Sequence, residues 1–364
     1  NAHSHLDLSH IGSRPFDPAR GFVGWVEFIQ SRRCQTDQET AVSVRRGIEL
    51  TLAGGVVAVG DVAGVWGTAA YEALAGSCLR GVSGIEVFGL GCRQAKVTAR
   101  IQEMGAMLAA SDSQARGVRW TWQPHAPYSA GLDVYEACAR SCLEHGRPLL
   151  THLAETPEER RFVASGDGPQ ADLLKRMGIW DESCLDGLAE GRTPVEHLMG
   201  VLESVPCIIA HANDVSDRDI ELLAKTRTTV AYCPRASSYF RQDDTFGPHR
   251  YQEMLDAGIN VGLGTDSIVN IPEQETDRLS TLDEARLLVR RDRLDAEVAM
   301  GMATWRAGLP LGLDQDGFSF SREGLPRKLH GLSLVRVEGS RAGEGLAQRV
   351  MTSEHLPHLV RPTA

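Results

Sequence analysis

The feature that most constrains this chain is an alternation of short apolar runs with stretches of helical period. From Thr40 the residues Ala41, Val44, Ile48 and Leu52 recur at three and four, the stripe of an amphipathic helix that Gly54-Gly55 would end. Val56 to Asp61 follows as a buried strand. The same pair of signals then predicts strand Gly84 to Leu90, helix Ala95 to Ala110, strand Val118 to Gln123, helix Leu132 to His145 and strand Pro148 to His152. After a longer interval come strand Cys207 to His211, helix Asp217 to Lys225, strand Thr228 to Cys233, helix Tyr251 to Ala257 and strand Ile259 to Asp266. Units spaced by roughly 30 residues are βα repeats, and such repeats build a parallel sheet with helices outside it. Polar residues end nearly every strand instead of gathering at one crevice. That favours an α/β fold of the eight-stranded (β/α)8, TIM-like barrel type over an open doubly wound sheet.

Seven strands are visible in this pattern, and an eighth is expected in front of His3, so the first strand is read as largely missing. The barrel is assigned residues 1–313. Within it, 157–206 reads as a lid-like insertion with helical pieces at Ala171 to Met177 and Pro194 to Leu202, because it begins just past the mouth of the barrel. Beyond Asp314 the helical pattern stops. The run Leu332 to Val337 alternates like a strand, so 314–364 is expected to be a truncated small β appendage, the remnant of a β-sandwich subdomain with an unpartnered edge, or a partly disordered tail.

Composition narrows the partners. Of 364 residues 48 are acidic and 38 basic, a net charge of −10 with no basic run, which recommends neither nucleic acid nor an anionic membrane. No apolar stretch approaches a membrane span and no signal-peptide pattern opens the sequence, so the expectation is a cytoplasmic protein handling small molecules, compatible with a homo-oligomer. The eight Cys form no Cys-x-x-Cys pair and read as reduced core thiols. No Gly-x-Gly-x-x-Gly or phosphate-binding loop argues for a nucleotide cofactor.

The polar strand ends carry the chemistry. Pro148 to His152 is an apolar run closed by a His at its C-terminal lip, with Glu155 on the loop beyond, a ligand and a proton shuttle if a metal lies there. His3 and His5, at spacing two, share a side. His125, His211 and Asp266 end three further strands. Imidazoles and a carboxylate over one face suit a zinc-type site with a position left for water. Taken singly, His125 and His211 are better explained as hydrogen-bonded core residues, and His152 with Glu155 as a surface ion-pair loop.

Taken together, Asn-Ala-His-Ser-His at 1–5, Pro-His-Ala-Pro-Tyr-Ser at 124–129, Thr-His-Leu-Ala-Glu at 151–155, Ala-His-Ala at 210–212, Cys-Pro-Arg at 233–235 and Gly-Thr-Asp-Ser at 264–267 resemble the amidohydrolase superfamily. Within it the chain is most similar to the metal-dependent deaminase and chlorohydrolase branch, which includes S-adenosylhomocysteine, guanine, cytosine and aminofutalosine deaminases. The resemblance implies one divalent metal ion, zinc first and iron as the alternative, held by His3, His5, His152 and Asp266. It makes Glu155, His211 and Asp266 the catalytic groups. Glu155 would be the proton shuttle, His211 would hold the attacking water, and Asp266 would accept that water's proton. Trp120 to Gln123 contains no Lys that could bridge a second metal. His125 and Tyr128 match positions that contact substrate. Trp25 could stack on a ring and Glu27 could meet sugar hydroxyls, or both could be helix-face residues. Arg235 could meet an anionic group or form an ion pair. The implied reaction is hydrolytic deamination of an aromatic N-heterocycle, a purine, pyrimidine or modified nucleoside. A chlorohydrolase or cyclic C–N hydrolase would use the same site, and an inactive truncated barrel would survive as a binding protein. Ala236-Ser237-Ser238, where relatives often carry Ser-Asn, and Ile268 to Pro272 depart from the family at the substrate rim.

Overall fold

A computed structural model describes residues 1–111, 117–313, 332–337 and 345–360. Seven parallel strands form its centre: β1 (Ala58–Val65), β2 (Arg80–Val87), β3 (Val118–Pro124), β4 (Leu149–Leu153), β5 (Cys207–His211), β6 (Thr228–Tyr232) and β7 (Asn260–Leu263). They pair in the order β1-β2-β3 and β4-β5-β6-β7. The backbone N–H of His152 donates to the carbonyl of His125 at 2.9 Å, joining β4 to the end of β3.

The remaining seam is closed by Asn1–His5, the segment that carries the His-x-His motif. Ala2 N–H donates to the Leu263 carbonyl and Ser4 N–H to the Gly60 carbonyl, at 2.8 and 2.9 Å, and Gly60 N–H returns a bond to Asn1. The segment thus occupies the eighth position, between β1 and β7, and the fold is a (β/α)8 barrel. Two glycines make room for it. A Cβ on Gly60 would lie 2.4 Å from the Ala2 carbonyl oxygen, and one on Gly264 would lie 3.0 Å from His3. The motif shows no strand signal because so short a piece has almost no apolar alternation to read.

Inside the barrel, Ala2, Ala58, Val82, Leu150, Ile208 and Ala231 form a dry layer, one residue from each of five strands and one from the closing segment, packed with Ala307, Leu311 and Leu313. This layer plugs the N-terminal end, so any chemistry has to sit above it. The larger core lies between strands and helices and includes Trp120, Trp122, Tyr135 and Leu198. Strand ends shift where pairing overrides apolarity. The strand expected at Gly84 to Leu90 starts four residues earlier, because Arg80 registers with Ala58 and Gly81 with Val118. The strand expected to reach Asp266 stops at Leu263, since Asp266 itself has left the extended region at φ 56°.

Beyond β4, the helices Pro157–Ser165 and Pro169–Arg176 build a small core of their own, with Phe162, Ala171, Leu174 and Cys184 against Leu90 and Tyr128. Helix Pro194–Ser204, expected as part of the insertion, instead packs beside helices Leu132–Glu144 and Asp217–Leu223. It is the crossover helix from β4 to β5, and only 157–193 stands outside the repeat. At the other end of the chain, β8 (Leu332–Leu334) pairs antiparallel with β9 (His358–Val360), so the expected orphan edge has a partner. Sequence expectations for 314–331, 338–344 and 361–364 lie outside the described residues. All eight Cys are free, but Cys78 and Cys92 are exposed, which corrects their reading as core thiols. Among the described residues no helix is long and apolar enough to cross a membrane.

Candidate metal centre and active site

His152 reaches the barrel axis by simple parity. Leu150 belongs to the dry layer, side chains two apart in a strand share a face, and His152 is therefore the next inward residue above it. The same rule would aim His211 outward, because Ile208 is inward. The backbone corrects this, with His211 at φ 75° and Ala212 at φ 50°, both left-handed conformations that a non-glycine residue adopts at a cost. His249 Nε2 donates to the His211 carbonyl at 2.8 Å and helps hold that turn. Ala154 at φ 54° and Asp266 at φ 56° repeat the device at the ends of β4 and β7. Among the described residues, four of the eight non-glycine positions with positive φ thus lie on three strand ends around one centre.

At that centre the rings converge. His5 Nε2 and His152 Nε2 are 3.2 Å apart, and Asp266 Oδ1 lies 3.4 Å from His3 Nε2 and 3.5 Å from His5 Nε2. Ligand atoms of His3, His5 and Asp266, and of His3, His152 and His211, fall within 4.8 Å of one another, with His3 common to both groups. His152 Nδ1 donates to the His125 carbonyl at 3.0 Å, which leaves its Nε2 lone pair facing His5. His3 Nε2 is buried without a hydrogen-bond partner. Burial lowers His3 and His152 to about 3 and holds His5 and His211 well below the usual imidazole range, so all four rings are neutral, the form that ligates a cation. Neutral Nε2 atoms converging on a buried carboxylate fit a divalent metal of the zinc type. Asn270 donates its amide N–H to Asp266 Oδ2, and with the His125 carbonyl that holds His152 Nδ1 it forms an outer layer that orients the ligands.

Glu155 is 6% exposed and its Oε1 lies 3.5 Å from His211 Nε2. Burial, then the Asp266 charge, pushes its carboxyl well above the usual range. Its loop is pinned by Glu159, whose two carboxylate oxygens accept the N–H groups of Ala154 and Glu155 at 2.8 Å each.

A cavity of about 410 Å³ opens above this floor, within the size range of small-molecule sites. His5, His125, Tyr128, His152, Glu155, His211 and Asp266 line its base, and Phe22, Trp25, Trp66, Phe88, Met177 and Ile179 make apolar walls. Of the sequence candidates, Trp25 is on the wall. Glu27 is not: it faces outward and pairs with Arg176 at 2.8 Å and Arg20 at 3.6 Å, latching helix Gly21–Arg32 to helix Pro169–Arg176. Arg235 is also elsewhere, buried against Glu284 at 2.6 Å and Glu275 at 3.1 Å. It borders a separate cavity of about 830 Å³. Sequence reasoning passed over Glu86, Arg33 and Trp66 on the wall. A Glu within the apolar run Gly84 to Leu90 was the available signal for the first.

The amidohydrolase family model matches residues 1–317. A 5-methylthioadenosine/S-adenosylhomocysteine deaminase of Bacillus cytotoxicus is 28% identical over 198 residues, 53% of this chain and 39% of its own length. The chain thus matches about two fifths of the length of that curated relative. Among solved structures, an aminofutalosine deaminase of Helicobacter pylori superposes with a TM-score of 0.73 at 19% identity, covering 98% of this chain and 82% of its own. An atrazine chlorohydrolase of Arthrobacter aurescens complexed with zinc superposes with a TM-score of 0.69 at 18% identity, over 97% and 78% of the two chains. At these identities the superpositions establish the fold.

Proposed function

We propose, for a chain that belongs to the amidohydrolase family, that it is a metal-dependent aminohydrolase replacing an amine on an aromatic N-heterocycle by oxygen. The observation that carries this reading is the convergence of His3, His5, His152, His211 and Asp266 beneath Glu155, at the base of an aromatic-walled cavity. The family is metal-dependent. His3, His5, His152 and Asp266 would hold the ion, with zinc favoured by the imidazole and carboxylate donor set. When bound, such an ion supplies Lewis acidity and makes water a competent nucleophile near neutral pH.

The chain's own groups account for the remaining steps. His211 Nε2 orients the attacking water, and Asp266 accepts its proton. A C–O bond forms at the ring carbon as Glu155 delivers a proton to the adjacent ring nitrogen. Passing a further proton through the same carboxylate to the amine lets the C–N bond break, and ammonia leaves. His125 and Tyr128 stand at the base to contact the ring, and Trp25 with Phe88 encloses its faces. Flat heterocycles suit such walls.

The test is ammonia release by zinc-loaded protein across purines, pyrimidines, their nucleosides and thio-substituted nucleosides. Glu155→Gln should lower kcat by about 10²–10⁴, the range for loss of a general acid–base group. Chloride release from halogenated rings, without ammonia from any amine, would replace this reading with a dechlorinating one.

A further inference from the structure

Glu86 is the most buried carboxylate on the cavity wall, with its side chain 1% exposed, and only half of it is used. Its Oε2 accepts a bond from Arg33 Nη2 at 3.0 Å. Its Oε1 is buried with no hydrogen-bond partner. The nearest donor candidate, His125 Nε2, stands 3.9 Å away, beyond hydrogen-bond range. The local bonding also turns that nitrogen into an acceptor. Ser129 Oγ gives its one proton to the Ala126 carbonyl at 3.0 Å, so the 2.7 Å bond to His125 Nδ1 is donated by the imidazole, and Nε2 of the neutral ring keeps its lone pair. Two acceptors therefore face each other across a gap in a dry wall, an arrangement that is costly until a donor fills it.

The position says what kind of donor. Ligand atoms of Glu86, His125 and His152 lie within 4.8 Å of one another, so the gap is one ring edge from the metal centre, too near to serve a distant substituent. Arg33 brings no free positive charge, because its Nη1 is committed to Asp7 Oδ2 at 3.0 Å as its Nη2 is to Glu86. Phe88 is stacked on His125 at 4.7 Å between centroids, which fixes the imidazole beside the gap.

We infer that Glu86, held by Arg33, is a specificity residue whose free carboxylate oxygen, with His125 Nε2, accepts an N–H of the heterocycle, so that rings bearing a second amino group or a ring N–H are preferred to rings offering only acceptors there. The inference rests on the proposed reading that a flat N-heterocycle occupies this cavity. A site built around a buried acceptor discriminates strongly, since the ligand lacking the donor leaves that acceptor unpaired.

A matched pair tests it: 2-amino-1,3,5-triazine and its 2,4,6-triamino counterpart, whose threefold symmetry offers donors whichever way the ring enters. Dissociation constants of both are read from fluorescence of Trp25 and Trp66 in the zinc-loaded protein and in Glu86→Gln, alongside ammonia release. The wild type should bind the triamino ring about 10- to 100-fold more tightly. In Glu86→Gln, whose amide presents a donor to the gap while its carbonyl still serves Arg33, that preference should vanish or invert. Equal affinity of the wild type for the two rings overturns the inference without any variant. So does a second equivalent of zinc that Glu86→Gln alone fails to bind, because the gap would then be a cation site. Ammonia release from both rings without preference leaves the deaminase reading standing and removes the role of Glu86; preferential binding with no ammonia from any amine does the reverse.

Discussion

Two buried charged clusters in this barrel, one around Arg235 and one around His3, differ in how completely they are satisfied. Arg235 sits on helix Pro234–Tyr239 and is 8% exposed, yet its guanidinium meets Glu284 and Glu275, and its backbone N–H bonds Glu284 as well. Every strong donor has an acceptor, so the cluster is finished by the chain itself. The other cluster is not. His3 Nε2, His5 Nδ1 and Glu86 Oε1 are buried without partners, and left-handed turns hold His211 and Asp266 in place. A chain gains nothing in stability from such an arrangement. Satisfaction, more than burial or charge, separates a strut from a site.

Breaking each cluster should therefore give different phenotypes. The largest effect is expected from Asp266→Asn, which removes the only carboxylate among the proposed ligands: metal content by atomic absorption should fall from about one per chain toward zero, and ammonia release should go with it. The fold should survive, as read by far-ultraviolet circular dichroism. Arg235→Ala should do the opposite. Stranding the buried Glu284 carboxylate should cost about 3–5 kcal/mol in urea unfolding, while the metal stoichiometry of the folded fraction stays unchanged. A loss of metal in that variant would erase the distinction between the clusters.

Asn270→Ala sharpens the comparison at its margin. It touches no proposed ligand atom except through its bond to Asp266. Zinc affinity, measured by competition with a chelator, should drop by about 10- to 100-fold. The smallest effect is expected from Trp25→Leu on the cavity wall, where losing one aromatic face should raise KM by about 2- to 10-fold with kcat little changed.

How much of this was legible in the sequence follows the same division. The barrel could be read because βα alternation is a local, repeated signal, and His152 with Glu155 because an apolar run closed by polar residues marks a strand end. Asn1–His5 could be placed only as the frayed end of a strand, since its pairing with Gly60 and Leu263 is a contact across some 60 and 260 positions, respectively, and leaves no periodicity in five residues. The outward turn of Glu27 and the burial of Arg235 were hidden for a like reason: their partners, Arg176 and Glu284, are remote in sequence. Helix Pro194–Ser204 was visible as a helix, but its place among the crossover helices depends on what it packs against. β9, three residues long with its ends exposed, gave no signal that β8 had a mate.

The closing segment also ties two equilibria together. Asn1–His5 zips β1 to β7 and in the same five residues presents two imidazoles to the centre. An ion held by His3 and His5, as proposed, would favour the closed seam, and by reciprocity a barrel already zipped would offer that ion a preassembled grip. The segment works as a keystone: chelation should be felt first in the amide exchange of Gly60, Val62 and Asp266, whose N–H or C=O groups bind it, before any loosening of the helical shell.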